Sequence, residues 1–231
     1  MRITGSEILH CNAGWRDFSF LKLTTDENIT GIAEFNECYG SPGLSGVIRR
    51  LVDRIKDMDA IAHERIHQYL YAATRQAPGG VNQQAIAAIE NALLDIKGKA
   101  FNVPVYDLLG GAVRQEIPVY WSHCGTYLIR PEIAELCGVE PLQTIDDLIK
   151  LGRRVSDGGY TGLKTNMITF DQDGKIGRHA PGFAAAPGWP DLNTPSDLVE
   201  QLRNQLMAMA EGAGPEVGLR LDLNFNFKPE G

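Results

Sequence analysis

The sequence predicts two successive folding units, an α+β unit over residues 1–115 and the first βα units of an α/β fold over 116–231. Three observations lead to this prediction. The chain begins with alternating strand-like segments, it continues with apolar residues at helical spacing, and after residue 115 short strands alternate with helices. Its length of 231 residues suits two domains, since domains commonly hold roughly 100–200 residues.

The first unit opens with strands. In DFSFLKLTT, Phe18, Phe20 and Leu23 stand among polar residues in a near-alternation that is typical of a half-buried strand. A polar turn at 26–28 separates this segment from ITGIAEF, which reads as a second strand. The pattern therefore predicts a β-hairpin.

Helices follow the strands in the first unit. Apolar residues recur every three to four positions from Val47 to Met58, and a second helix is expected over 61–74. The strongest helical pattern is NQQAIAAIENALLDIKGKAF, with Asn82 as the predicted N-cap and Pro104 preventing any continuation. An antiparallel sheet followed by helices is an α+β arrangement.

The second unit alternates strands and helices, which predicts βαβ units and a parallel sheet. Thr144 is expected to begin a helix with a capping box to Asp147, and Pro195 is expected at the first position of a later helix. The predicted strands are IPVYWSHC, TGLKTNMI and VGLRLDLNF. Residues 169–195 are too long for a simple connection, and a functional lid and a passive insertion both remain open.

Polar residues follow one face of two of these strands. With a period of two, Lys164 and Asn166 share a face, and so do Arg220, Asp222 and Asn224. A covered parallel strand should be nearly all apolar, so polar residues near its C-terminal end indicate a site, because α/β folds place their sites there. The structural alternative is an ion pair between Lys164 and Asp222.

A serine and a histidine stand at the end of the first predicted strand of the second unit, as the polar residues above stand near the ends of the other two strands. Ser122 and His123 are therefore further site candidates, although a lone histidine is more often structural. The other histidines show no partner pattern and are interpreted as surface residues, even though two of them are four apart as in a metal pair: His10, His63, His67 and His179.

Several segments together resemble the enolase superfamily, and within it the mandelate racemase and muconate lactonizing enzyme branch. FSFLKLTTDENITGIAEF resembles the hairpin of that family's capping domain, and AIAAIENALLDIKGKAFNVPVYDLLGG resembles the helix and connector that lead into its barrel. GYTGLKTN resembles the second barrel strand with its Lys-x-Lys motif, and LRLDLNFNF resembles the third strand. The resemblance implies an enolase-like capping domain followed by the first part of a TIM-type barrel.

The resemblance also implies a chemistry, which is magnesium-dependent removal of the proton beside a carboxylate. Asp222 would be a magnesium ligand, with Asn224 beside it to orient substrate or water. Lys164 would place positive charge at the substrate carboxylate and depress the pKa of its neighbour. Pocket-lining positions of the first strand and the capping loop would bind substrate: Ser122, His123, Asn12, Trp15 and Arg16.

Asn166 departs from the family motif, because it stands where the second lysine serves as a base. An amide cannot accept a proton at neutral pH. Racemisation needs a base on each face of the substrate, whereas dehydration needs one base and an acid. This change favours an acid-sugar dehydratase over a racemase, epimerase or cycloisomerase, with Lys164 and Asn166 as the catalytic candidates.

Length is the second departure. A complete eight-stranded barrel takes about 250 residues, so residues 116–231 would supply only its first units, and the chain alone is expected to be inactive. An open barrel exposes strand edges, which favours homo-oligomers. Two other interpretations stay open: a lysine Schiff-base aldolase using Lys164, and a non-catalytic binding or assembly protein.

Composition limits the partners. Lys and Arg total 22 against 29 Asp and Glu, and a net charge of −7 argues against nucleic-acid binding. No apolar run approaches the roughly 20 residues that cross a bilayer. The four cysteines are scattered, which favours a reducing cytoplasm. The resemblance, in turn, implies a small carboxylic acid as the partner and Mg²⁺ as the cofactor.

Overall fold

The structure, a computed structural model, describes residues 1–38, 40–183 and 190–231. The chain divides into two compact units, Met1–Gln115 and Glu116–Gly231, and each has a hydrophobic core of its own. No helix within the described part of the chain is long and apolar enough to cross a membrane.

The first unit contains a three-stranded antiparallel sheet in the order β1-β2-β3. Its strands are β1 (Ile3–Asn12), β2 (Asp17–Thr25) and β3 (Thr30–Phe35). The predicted hairpin is confirmed as β2 and β3. Leu21 and Leu23 face the core with no exposure, whereas Phe18 and Phe20 lie half-buried on the other face of the pleat.

Four helices complete the first unit: α1 (Leu44–Ile55), α2 (His63–Ala73), α3 (Gly80–Phe101) and α4 (Val105–Leu108). The prediction of Asn82 as the N-cap of α3 is wrong. The cap is Gly79, whose φ of 81° suits glycine, and the Asn82 amide instead donates to the carbonyl of Ala77 at 2.9 Å.

α3 packs directly against the sheet. A Cβ at Gly31 in β3 would lie 1.9 Å from the carbonyl oxygen of Ala92 in α3, so only glycine permits this approach. The buried stripe of α3 includes Ile86, Ile89 and Leu93, and it belongs to the same hydrophobic core as the buried face of the sheet. The core of the first unit is thus formed by the sheet together with α1, α2 and α3, and α3 contacts the sheet most closely at Gly31.

The second unit is built on a parallel sheet in the order β4-β5-β8, with a separate two-stranded hairpin. Its strands are β4 (Tyr120–Trp121), β5 (Gly162–Thr165), β6 (Ile168–Phe170), β7 (Ile176–Arg178) and β8 (Gly218–Leu221). Its helices are α5 (Pro131–Leu136), α6 (Ile145–Asp157) and α7 (Ser196–Ala213). The predicted alternation of strands and helices is confirmed.

Some local expectations in the second unit need correction. The third predicted strand ends at Leu221, because the chain turns at Asn224 with a φ of 51°. Pro195 is the N-cap of α7 rather than its first helical residue. The capping box between Thr144 and Asp147 is confirmed.

The long segment 169–195 is partly ordered into secondary structure. It contains most of the β6–β7 hairpin and a 3₁₀ turn at Pro181–Phe183. Its residues 184–189 lie outside the described part of the chain, so its interpretation as a lid or an insertion stays a prediction.

Two glycines bring α6 and α7 together. A Cβ at Gly212 would lie 1.9 Å from the carbonyl oxygen of Ile149, and one at Gly152 would lie 2.3 Å from that of Met209. These contacts leave no room for a side chain at either position. The close crossing fixes α7 beside the parallel sheet, and α7 carries a side chain that supports the candidate site.

Candidate active site

The candidate active site lies at the C-terminal ends of β5 and β8. Lys164 pairs in register with Arg220, and beyond β8 the backbone N–H of Asp222 donates to the carbonyl of Thr165 at 2.8 Å. This extension of the ladder holds Asp222 beside Lys164, whose Nζ lies 2.6 Å from Asp222 Oδ2. The two side chains are 30% and 26% exposed, so the pair is reachable from solvent.

The pair is ionised on both sides. The hydrogen bond from Lys164, followed by that from the Asn224 backbone N–H, holds the pKa of Asp222 below its ordinary value. The hydrogen bond to Asp222 raises the pKa of Lys164 above its ordinary value. Lys164 therefore lowers the pKa of Asp222 and remains a cation itself.

Asp222 is suited to binding a hard cation such as Mg²⁺, because its carboxylate is anionic, partly exposed and placed at a strand end. Magnesium takes about six oxygen ligands. Within the described residues Asp222 belongs to no group of three or more potential metal ligands, so it would be one ligand of a larger set.

Asn166 lies beside this pair but is buried, with 2% exposure. Its Nδ2 donates to the backbone carbonyl of Asp222 at 3.3 Å, and its Oδ1 accepts from the Thr126 hydroxyl at 2.9 Å. Its backbone N–H donates to Thr126 Oγ1 at 3.3 Å. The Asn166 amide thus joins the end of β5 to the residue that follows β8.

These contacts determine the tautomer of His123. Since the carbonyl of Asp222 can only accept, the amide of Asn166 must present its NH₂ there and its oxygen on the opposite side. His123 Nδ1 lies 3.0 Å from that oxygen and therefore carries the proton. In the neutral form of the ring, the lone pair is then at Nε2. His123 itself has a φ of 53°, just beyond the short strand β4.

Gln205 supports the site from α7, and sequence spacing did not single it out. It is fully buried, and its Nε2 donates to the carbonyl of Asn166 at 2.8 Å and to Thr165 Oγ1 at 3.1 Å. Its Oε1 accepts from the backbone N–H of Ile168 at 3.0 Å. The available signal was a glutamine on the helical face that also carries buried Leu198 and Met209.

The remaining candidates of the second unit are exposed. Ser122 directly precedes His123 in the turn after β4. Asn224 lies in a turn rather than on the strand, so the expectation that it shares a strand face with Arg220 and Asp222 is wrong. Its backbone N–H donates to Asp222 Oδ1 at 2.8 Å, so Asn224 remains next to the carboxylate.

The capping-loop candidates belong to the first unit. Asn12 closes the β1–β2 turn, since its Nδ2 donates to Asp17 Oδ1 at 2.7 Å and its Oδ1 accepts from the N–H of Gly14 at 2.8 Å. The guanidinium of Arg16 stacks on two aromatic rings, 4.6 Å from the centroid of Phe18 and 5.6 Å from that of Trp15. This turn is therefore an ordered polar and aromatic feature.

The expectation that these histidines have no partners is wrong for all four: His10 Nδ1 lies 3.0 Å from Ser19 Oγ, and the other three rings contact carboxylates. His67 Nδ1 lies 2.9 Å from Glu90, and His179 Nε2 lies 3.1 Å from Asp191. His63 Nε2 lies 3.8 Å from Glu64. The rings of His63, His67 and His179 are partly buried. The spacing of the residues in the sequence did not reveal the carboxylate that each ring contacts.

Residues 12–110 match the sequence model of the mandelate racemase / muconate lactonizing enzyme N-terminal domain. This matched region covers most of the first unit, including β2, β3 and its principal helix. Over this region the chain is similar to the enolase superfamily, to which the matched family belongs. Its first unit is the superfamily's N-terminal capping domain, with mixed α and β content.

Curated relatives include dehydratases. A D-galactonate dehydratase family member from Streptomyces bingchenggensis is 32% identical over 98% of this chain and 53% of the relative. A D-mannonate dehydratase from a Sphingomonas species is 34% identical over 93% of this chain and 50% of the relative. The chain spans about half the length of these two relatives.

A solved structure supports the same fold. A protein from Burkholderia xenovorans, described as a candidate L-alanine-DL-glutamate epimerase and bound to magnesium and fumarate, is 43% identical to this chain. It superposes with a TM-score of 0.91 over 100% of this chain and 56% of its own length. The chain is thus related both to dehydratases and to a candidate epimerase.

Proposed function

We propose that this chain supplies part of the active site of a magnesium-dependent enzyme that removes the proton α to a carboxylate, and that the reaction is dehydration of a sugar acid or related hydroxy acid. The observation that carries this proposal is the ion pair between Lys164 and Asp222, with Nζ and Oδ2 2.6 Å apart at the ends of adjacent parallel strands. The substrate class follows from the relatives that are dehydratases of D-galactonate and D-mannonate.

Asp222 is the residue proposed to hold the metal. When bound, magnesium would act as a Lewis acid toward the substrate carboxylate, whose oxygens gain negative charge as the α-proton leaves. Lys164, kept protonated by Asp222, would add a second positive charge at the same oxygens. Charge stabilisation of this kind is a large contribution to rate in such sites.

Asn166 is proposed to position other groups. Its amide is engaged by Thr126, His123 and the Asp222 backbone, so it orients them and neither binds nor releases a proton. His123, with its lone pair at Nε2, is proposed to accept a hydrogen bond from the substrate. Ser122 and Asn224 are proposed to contact the substrate, as is the Asn12, Trp15 and Arg16 turn of the capping domain.

Racemisation or epimerisation is the second candidate, favoured by the 42–43% identity to the candidate epimerase from Burkholderia xenovorans. Asn166 argues against it, because a two-base mechanism needs a proton acceptor on each face of the substrate. The Schiff-base alternative is disfavoured, since the amine of Lys164 would have to be neutral and its pKa is raised by Asp222.

The test uses the chain expressed with any residues that follow Gly231 in its reading frame. It is incubated with a panel of sugar acids and Mg²⁺, and the 2-keto-3-deoxy product is followed by NMR. Lys164→Met and Asp222→Asn are each expected to lower kcat at least about 100-fold. Lys228→Met and Asp173→Asn change exposed residues of the same unit and serve as matched controls.

Circular dichroism establishes that each variant is folded before its activity is compared. Dehydration that persists at the full rate in both Lys164→Met and Asp222→Asn would refute the proposed roles. Inversion of an α-carbon without loss of water, detected by solvent deuterium incorporation, would replace dehydration with the racemase or epimerase alternative.

A further inference from the structure

A cluster of nitrogen and oxygen ligands joins α2 to α3 in the capping domain. One ligand atom from each of His63, Glu64 and Glu90 lies within 4.8 Å of the other two. Within the described residues this is the one group of three or more histidine, cysteine or carboxylate side chains with metal-binding geometry. The cluster uses none of the residues around Lys164 and Asp222.

The sequence of α2 contains a spacing that also occurs in metal sites. Residues 63–67 read His-Glu-Arg-Ile-His, which is the H-E-x-x-H spacing that places two histidines on one helical face. A motif this short occurs by chance, so it gains weight only from a third ligand on another element. Glu90 of α3 supplies that ligand, because one of its carboxylate oxygens lies within 4.8 Å of the ligand atoms of His63 and Glu64.

Burial distinguishes this cluster from exposed acidic residues. The side chains of His63, His67 and Glu90 are 16%, 24% and 27% exposed, whereas Glu64 is 74% exposed. The inner three are held by two packed helices, and Glu64 closes the solvent side. His67 binds Glu90 in the way a second-layer residue orients a metal-ligating carboxylate.

Lys97 supplies a positive charge at the same place. Its Nζ lies 3.4 Å from Nδ1 of His63, and an ammonium group can only donate, so this ring nitrogen acts as the acceptor. The carboxylates of Glu64 and Glu90 and the lone pair of His63 therefore lie close together, and the ammonium group of Lys97 is the positive charge that contacts them through His63. A divalent cation bound by His63 would displace this contact.

We infer that α2 and α3 form a binding site for a transition-metal ion of the Zn²⁺ type, with His63, Glu64 and Glu90 as ligands and His67 orienting Glu90. Imidazole and carboxylate together suit zinc, cobalt or nickel, whereas Mg²⁺ prefers an all-oxygen shell. The site would bridge two helices that begin 17 residues apart, at His63 and Gly80, and would stabilise the capping domain.

The experiment measures binding of Zn²⁺ and Co²⁺ to the tag-free, metal-stripped protein, by competition with a chromophoric chelator and by Co²⁺ absorption. One ion per chain is expected, with a rise in melting temperature on binding. His63→Ala and Glu90→Gln are expected to weaken binding at least tenfold, and His67→Gln about tenfold or more. Lys97→Met is expected to tighten it by roughly three- to tenfold, because it removes a competing charge.

A control and a further ligand variant keep the inference falsifiable. His10→Ala with Cys11→Ser removes other nitrogen and sulfur donors of the same domain and is expected to leave the affinity unchanged. Glu64→Gln changes an exposed side chain and so tests the site without risk to the fold. Absence of saturable Zn²⁺ or Co²⁺ binding would overturn the inference. So would an affinity equal to that of the unsubstituted protein in all of His63→Ala, Glu90→Gln and Glu64→Gln.

Discussion

The two units of the molecule use different chemistry in their interiors. Among the described residues of the first unit, the buried polar ones carry only hydroxyl groups: Ser19, Thr25, Ser41 and Ser45. In the second unit, amide side chains are also buried: Asn166, Gln205 and Asn226. A hydroxyl needs one or two partners, whereas a primary amide needs up to four, so buried amides require much more specific surroundings.

This difference follows the candidate site. Asn166 and Gln205 connect β5, α7 and the segment after β8, which are the elements that carry Lys164 and Asp222. The capping domain relies on apolar packing of α3 on its sheet. Apolar packing stabilises a fold without requiring particular orientations of polar groups, whereas hydrogen-bonded amides fix the orientation of the groups they contact.

The largest effect is expected from the apolar interior of the capping domain. Leu93→Ala deletes a fully buried side chain of α3 and is expected to lower the free energy of unfolding by about 2–5 kcal/mol. Urea denaturation followed by circular dichroism measures it. Leu109→Ala removes the same atoms at a position 70% exposed, and a similar loss there would contradict the packing explanation.

An intermediate effect is expected from the amide network. Gln205→Leu leaves the backbone N–H of Ile168 and the carbonyl of Asn166 without this buried partner, at a cost of about 1–3 kcal/mol. The same denaturation measurement applies. Gln201→Leu, one turn away, removes a half-buried acceptor for the N–H of Phe170, and we expect a smaller loss. Equal losses would show that burial of the amide does not matter.

The smallest effect is expected at the start of α6. Hydrogen bonds from Lys150, Gln143 and Thr144 lower the pKa of Asp147 to about 2 from 3.8. Because the pKa is lower in the folded state, this stabilisation is complete above pH 4 and disappears as the pH falls through about 2. Asp147→Asn is expected to cost about 1 kcal/mol at pH 6 and progressively less toward pH 2.

Denaturant titrations at pH 6, 4 and 3 follow this trend. Asp146→Asn changes the adjacent exposed carboxylate in the same first turn and provides the control. A cost for Asp147→Asn that stayed constant from pH 6 to pH 3 would mean that the carboxylate charge is not what stabilises the cap.

Much of the architecture could be predicted because it depends on patterns among residues that are close together in the sequence. The β2–β3 hairpin, the long helix α3 and the capping box at Thr144 each depend on residues within a few positions of one another. The N-terminus of α3 could not be predicted this way. Asn82 has the right chemistry for a cap, but the left-handed backbone at Gly79 begins the helix earlier.

The site was only partly predictable for the same reason. Strand alternation and resemblance brought Lys164 and Asp222 together, and the structure places them 2.6 Å apart. Period-two reasoning failed at Asn224 because the strand ends before it. Gln205 was missed because its role depends on partners about 40 residues away in sequence, which no local pattern contains.

The hydrogen bond between His123 and Asn166 also constrains how these positions can vary. A lysine at position 166, as in the Lys-x-Lys motif, would replace an acceptor with a donor facing both Thr126 Oγ1 and His123 Nδ1. The proton on His123 would then have to move to Nε2, or the ring would have to turn away. We therefore expect positions 123 and 166 to have been inherited together, so that each residue is acceptable only in the presence of the other.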